Sequence, residues 1–203
     1  MNRRLKRHIY RFFPLYGVAL AVSICLWTWL VPSKVAYTKA EKIGIFAGVK
    51  TGNEPLFSSV ILSSCSGVKQ VDVYSCDPSD SYFGTMVGSK GRYSCDFFLL
   101  PLGSFEDSLV QSLCAPLKQE DLKSNFGGDY DYFLIEGRTY GFKLYKEETR
   151  CLSSFLTYGD EATDQYLLLF NRESENLNTL LQDRSGKTSN AVSAVKALFS
   201  YEG

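Results

Sequence analysis

Apolar positions gather first in one long run, Phe12 to Val31, and afterwards only in short runs separated by polar and glycine-containing turns. At a helical rise of about 1.5 Å per residue the long run reaches roughly 30 Å, the thickness of a bilayer's hydrocarbon core. It predicts a transmembrane helix over 12–31. Trp27 and Trp29 stand near its far end, where indole rings favour the membrane interface, and Pro32 stops it.

After a polar stem over 32–41 the runs shorten to strand and helix lengths. Lys42 to Val49 (KIGIFAGV) reads as a buried strand closed by the turn Lys50-Thr51-Gly52-Asn53. Asn53 then suits a helix cap, Pro55 a first helical turn, and Leu56, Phe57, Val60 and Ile61 recur at helical spacing up to Ser64. Val68, Val71, Val73 and Tyr74 form a second strand ending at Asp77-Pro78-Ser79-Asp80. Phe83 to Val87 predicts one or two helical turns, Gly88 to Gly91 a glycine turn, Cys95 to Leu100 a third strand ended by Pro101, and Phe105 to Leu113 a helix.

Strands alternating with helices at this interval predict an α/β domain with a largely parallel sheet. The second half adds other features. Tyr132 to Ile135 and Thr139 to Tyr145 flank Glu136-Gly137-Arg138 as a β-hairpin, Gln165 to Asn171 is a further strand, and Ser189 to Phe199 is the closing helix. The fold expected over 42–203 is therefore a single mixed-sheet α/β domain.

Charge fixes an orientation for this arrangement. Residues 1–31 hold Arg3, Arg4, Lys6, Arg7 and Arg11 and no acid, which places the basic segment 1–11 in the cytoplasm and the domain outside the cell membrane. The apolar run is longer than the roughly 7 to 15 residues of a signal peptide and no small-x-small site follows it, so it reads as an uncleaved anchor. Acylation at Cys25 is disfavoured, because Ile24 precedes it and the apolar run continues after it. Of 22 basic residues 17 remain beyond residue 31 against 22 acidic ones, a net charge of about −5 that does not suit nucleic acid.

Candidate catalytic chemistry is sparse. The chain's one histidine, His8, lies in the basic flank, which removes Ser-His-Asp, Cys-His and histidine-metal sites from the domain. Cys65, Cys76, Cys95, Cys114 and Cys151 lie beyond the membrane run without a C-x-x-C spacing, and read either as buried apolar residues or as one or two disulfides. Gly48 to Gly52 and Gly88 to Gly91 lack the phosphate-loop pattern, and the acidic groups Glu147, Glu148, Asp160, Glu161, Asp164 and Asp129, Asp131 read as solvated loops. No enzyme activity, cofactor or metal is expected.

The runs Lys42 to Val49, Val71 to Asp80, Phe83 to Met86 with Gly91, Asp96 to Pro101 (DFFLLP) and Tyr140 to Tyr145 together resemble extracytoplasmic solute-binding proteins of ABC importers, with the periplasmic-binding-protein-like type II fold. The chain is short for the two lobes of that family, so the resemblance implies a compact or one-lobed relative. It implies capture of a small solute for a membrane transporter or permease. The strand-end loops Val49 to Asn53, Asp77 to Phe83 and the turn after Leu100 become the ligand face, with Asn53, Asp80 and Tyr82 as ligand contacts. The alternative is a non-catalytic interaction protein whose degenerate cleft docks on a membrane partner. A histidine-free hydrolase ranks behind both.

Overall fold

The computed structural model describes residues 3–30, 37–127, 130–147, 149–159, 163–178, 180 and 188–201. Expectations that rest on Val31 to Ala36, on Asp129, Glu148, Asp160 and Glu161, or on the side chains of Trp27, Trp29 and Cys151 lie outside that description. The chain divides into two units, Met1–Ala36 and Tyr37–Gly203.

The first unit contains one helix, α1 (Arg3–Leu30). Of its described apolar side chains, Phe13, Leu15, Val18, Leu20 and Ile24 are more than half exposed. Among the described residues no helix is long and apolar enough to cross a membrane. The expected span of 12–31 has described side chains only from Phe12 to Leu26.

The second unit begins inside the expected stem. A 3-10 turn at Lys39–Glu41 is bound to it, with Asn176 Nδ2 donating to Lys39 O at 3.1 Å and Asn190 Nδ2 to Ala40 O at 2.8 Å. Glu41 also pairs with Lys69 and accepts from the Thr38 N–H and hydroxyl, and these bonds, Lys69 foremost, hold its carboxyl down to about 2.

The chain then runs β1 (Lys42–Ala47), β2 (Thr51–Gly52), α2 (Glu54–Ser64) and β3 (Gln70–Ser75). It continues through α3 (Phe83–Met86), a π-helical turn (Val87–Gly91), α4 (Arg92–Ser94), β4 (Phe97–Pro101), α5 (Asp107–Leu113) and α6 (Gln119–Phe126). The last elements are β5 (Asp131–Ile135), β6 (Arg138–Tyr145), α7 (Arg150–Phe155), β7 (Leu156–Thr157), β8 (Gln165–Phe170) and α8 (Asn190–Phe199).

Six strands form one sheet in the order β3-β1-β4-β8-β6-β5, and β2 pairs with β7 separately. β1 is parallel to both β3 and β4, whereas the β4–β8, β8–β6 and β6–β5 pairings are antiparallel. The domain is thus α/β with a mixed sheet, and the largely parallel arrangement expected from the first half stops at β4. β5 and β6 are the expected hairpin. Glu136 and Gly137 both adopt positive φ, +49° and +76°, as a tight two-residue turn between twisted strands requires.

Strand periodicity explains two cores. Ile43, Ile45, Ala47, Phe97, Leu99, Tyr166, Leu168 and Phe170 face one side, packed with Phe57 and Ile61 of α2, Leu152 and Phe155 of α7, and Val192, Val195 and Leu198 of α8. The alternate residues Phe46, Phe98, Leu100, Leu167 and Leu169 face the other side, against Phe83, Val87, Val110 and Leu113. Covering both faces of β1 and β4 is why their sequences are continuous apolar runs instead of alternating ones.

The glycine turn expected at Gly88 to Gly91 is a correction: this stretch is helical, joining α3 to α4 through the π-helical turn. Val87 is fully buried on its inner side, which gives the turn a packing role. A Cβ on Gly88 would meet no heavy atom within 4 Å, and its φ is ordinary. Gly88→Ala should therefore stabilise the unit by about 0.5–1 kcal/mol in urea unfolding, since alanine loses less backbone entropy in a helix. A loss of stability there would restore the turn reading.

Cys65, Cys76, Cys95 and Cys114 are buried and carry free thiols. Of the two readings left open by the sequence, these four take the buried apolar one. Burial raises all four thiols above their ordinary range, so they are poor nucleophiles.

Candidate functional site

The parallel strands β3, β1 and β4 end along one edge of the sheet, where open α/β sheets commonly receive ligands. A cavity of about 500 Å³ lies there. Gly48 to Lys50 line it after β1, Asp77 to Ser79 after β3, and Pro101 to Ser104 after β4, with Gly159, Thr163 and Tyr166 closing it. Its size falls within the roughly 300–1,000 Å³ of small-molecule sites.

Local sequence shapes each wall. Gly48 donates its N–H to Leu99 O at 2.8 Å, and a Cβ at this position would stand 2.5 Å from the Pro101 ring, so glycine lets the two strand ends close together. Pro101 is tolerated because it lies beyond the last β1–β4 pair, Ala47 with Leu99, and faces Tyr166 across β8. After it the chain turns through Gly103 at φ +86°, and Ser104 Oγ donates to Pro101 O at 2.8 Å.

Asp77 carries the second wall. Its Oδ1 accepts from the Ser79 N–H at 3.0 Å and the Ser79 hydroxyl at 2.7 Å, and these two bonds, with a smaller push from Lys50, hold its carboxyl below the usual range. Oδ2 accepts no hydrogen bond from the described residues. Backbone passes close to it: a Cβ on Gly159 would sit 2.5 Å from Oδ2.

Tyr166 supplies the floor. Only 1% exposed, it packs edge-on against Tyr158 with ring centroids 5.4 Å apart, yet its hydroxyl has no hydrogen-bond partner among the described residues. That hydroxyl is not sealed off, because among the described residues no buried side-chain polar atom lacks a partner, and Tyr166 lines the cavity. Burial, then the Asp77 charge, pushes the phenol far above its ordinary value and keeps it neutral.

The expected loops are the ones that line this cavity, whereas the three expected contacts stand elsewhere. Asn53 caps α2, its Oδ1 accepting from Leu56 N–H at 3.2 Å. Asp80 Oδ1 accepts from Tyr82 N–H at 3.0 Å, and the Tyr82 ring is 68% exposed. None of the three lines the cavity. Asp77 lies at the start of the expected loop Asp77 to Phe83 but is not among the three expected contacts, and Tyr166 reads in sequence as one more core position in QYLLLF, although a phenol within a leucine run does require a partner for its hydroxyl.

A larger cavity, about 740 Å³, opens at the opposite, amino ends of the strands and mixes Lys39, Lys42 and Arg92 with Asp72, Glu173 and Glu175. Its floor is saturated. Asp96 accepts from Gly44 N–H, Ser174 Oγ and Asn176 Nδ2, while Asn171 Nδ2 donates to the carbonyls of Gly91, Arg92 and Cys95. Buried groups with every bond made hold a fold together, and groups left waiting invite a ligand, so the carboxyl-end cavity is the candidate site.

Among the described residues no three His, Cys, Asp or Glu side chains converge as metal ligands. Comparison with protein-family models, curated proteins and solved structures returns no match.

Proposed function

We propose that this protein is a membrane-anchored, non-catalytic binding module that captures a small polar solute at the carboxyl ends of β1, β3 and β4, working beside a membrane transporter. The observation that carries the reading is the buried Tyr166 hydroxyl, unpartnered and open to a cavity of ligand size. The lining sets apolar Val49, Pro101 and Leu102 beside polar Lys50, Asp77, Thr163 and Tyr166, a mixture that suits a small polar solute.

The element order supports the one-lobe resemblance. Strand, helix, strand, loop, helix and an Asp-apolar-Pro strand follow one another from β1 to β4. The antiparallel β8 then inserts beside β4. Anchoring is supported by the acid-free basic flank, the apolar run over 12–31 and the exposed apolar side chains along α1. In this orientation the N-terminus is cytoplasmic and the domain extracytoplasmic. The absence of histidine from the domain favours binding over hydrolysis.

The test is a thermal-shift screen of the full chain in detergent against sugars, amino acids, amines, organic acids and short peptides. A ligand at 100 times its dissociation constant adds about 2.7 kcal/mol to native-state stability. A hit whose shift shrinks in Tyr166→Phe places the ligand in this cavity. A folded domain that is silent to the whole panel would overturn solute capture in favour of docking on a membrane partner.

A further inference from the structure

Asp77 and Tyr166, two of the polar groups that line the cavity, differ in charge. Tyr166 offers a neutral hydroxyl that can donate or accept, whereas Asp77 offers a carboxylate oxygen, Oδ2, with no described donor. The loop spends its own donors on the other oxygen: both the N–H and the hydroxyl of Ser79 go to Oδ1. Lys50 lines the same cavity, and its charge helps to hold the Asp77 carboxyl down, but no ion pair joins the two. Val49, Pro78, Pro101 and Leu102 add apolar wall, and Ser104 and Thr163 add uncharged hydroxyls.

Gly159 sharpens the picture. Its Cα faces the carboxylate so closely that an added Cβ would stand 2.5 Å from Oδ2 and 3.3 Å from Cγ. One side of the carboxylate is therefore walled by backbone, and the half-exposed Asp77 side chain lines the cavity. A carboxylate at the wall of a partly enclosed site favours a charge-assisted donor, which is worth about twice a neutral hydrogen bond.

We propose that the solute carries a protonated primary or secondary amine, its ammonium held by Asp77 Oδ2 and a second polar group bonded to the Tyr166 hydroxyl. This rests on the small-solute reading above and narrows it to amines, amino alcohols and amino acids. Neutral sugars rank behind them, because they bring no charged donor to the carboxylate, and Lys50 in the same cavity suits an amino acid's own carboxylate. Asp77 stays ionised down to a pH below the ordinary carboxylate range, so acidification to about 5 leaves the site charged.

The experiment uses the full chain in detergent and calorimetric titration with paired probes: ethanolamine against ethylene glycol, L-alanine against L-lactate, and other amino acids and diamines against their hydroxyl counterparts. At least one amine should bind tenfold or more tightly than its counterpart, as loss of one charged hydrogen bond implies. Asp77→Asn keeps an acceptor for Ser79 and should remove that tenfold preference while the unliganded melting temperature stays near the parent's. Gly159→Ala should weaken the same ligand by displacing the carboxylate.

A best ligand that is neutral or anionic, with affinity unmoved by Asp77→Asn, would overturn the amine assignment and leave solute capture standing. Silence to every probe class in both this titration and the wider screen would overturn both. The paired comparison on the unaltered chain decides the assignment even where a variant fails to fold.

Discussion

Asp96→Ala should cost about 3–5 kcal/mol of unfolding free energy, because three buried donors lose their acceptor together. Asp96 is 7% exposed at the start of β4. Gly44 N–H reaches its Oδ2 at 2.8 Å, and Asn176 Nδ2 and the Ser174 hydroxyl reach its Oδ1 at 3.0 and 2.5 Å. The same asparagine holds Lys39 O and Lys42 O, so one carboxylate ties β1, β4, the chain entry and the segment after β8 into a single joint. Asp96→Asn keeps an acceptor for Ser174 and Asn176 but turns a donor toward Gly44 N–H, and should lose less. Near-UV circular dichroism through a urea titration reads both, and an alanine loss below about 1 kcal/mol would show that the joint is ornamental.

The pH dependence of that loss has a definite sign. Burial raises the Asp96 carboxyl above its ordinary range, overcoming the hydrogen bonds from Ser174, Gly44 and Asn176 that pull it down. The folded chain therefore takes up this proton before the unfolded chain does. Stability from Asp96 grows as pH falls through the folded value, and is fully present below about 4, the unfolded one. The gap between the parent and Asp96→Ala should widen on acidification across that interval. Glu41, held down to about 2, acts oppositely: its contribution is present above the ordinary carboxylate value and is lost as pH falls through about 2.

Elements whose burial follows chain periodicity were legible in the sequence, and those created by tertiary contact were not. KIGIFAGV, CDFFLLP, the hairpin around Gly137 and the closing helix all announce themselves through apolar spacing and turn residues. The short pair β2 and β7 does not, because two residues carry no period and are held by Asn53 N–H on Phe155 O and by Gly52 N–H on Ser75 Oγ. Gly88 and Gly91 misled for a different reason: glycine is a turn signal on average, yet here Gly91 is needed because a Cβ would stand 2.6 Å from the Phe98 ring. The site followed the same division. The strand-end loops, Asp77 among them, are legible from topology, while the pairing of Asp77 with Tyr166 emerges only when a turn from one strand is set beside a leucine-rich strand 89 positions later.

Gly44→Ala should be as damaging as loss of Asp96, about 3–5 kcal/mol, and for a steric cause. A Cβ on Gly44 would lie 1.8 Å from Ser94 O, 2.7 Å from Cys95 Cα and 2.8 Å from Ser94 C. All three are backbone atoms, so no side chain can swing aside. The approach is itself made by hydrogen bonds, since Asp96 N–H donates to Gly44 O at 2.7 Å while Gly44 N–H donates to the Asp96 carboxylate. Forcing the strands apart by the missing ångström breaks both bonds and strains the Gly44–Asp72 pairing with β3. In sequence this glycine is an ordinary interruption of an apolar strand, and alanine would be expected to improve it. Gly84→Ala, where a Cβ would meet nothing within 4 Å, is the control. If Gly44→Ala unfolds within about 1 kcal/mol of that control, the close approach of β1 to the Ser94–Asp96 backbone is wrong. Because the two residues share one joint, the double change Gly44→Ala with Asp96→Ala should cost well under the sum of the single losses.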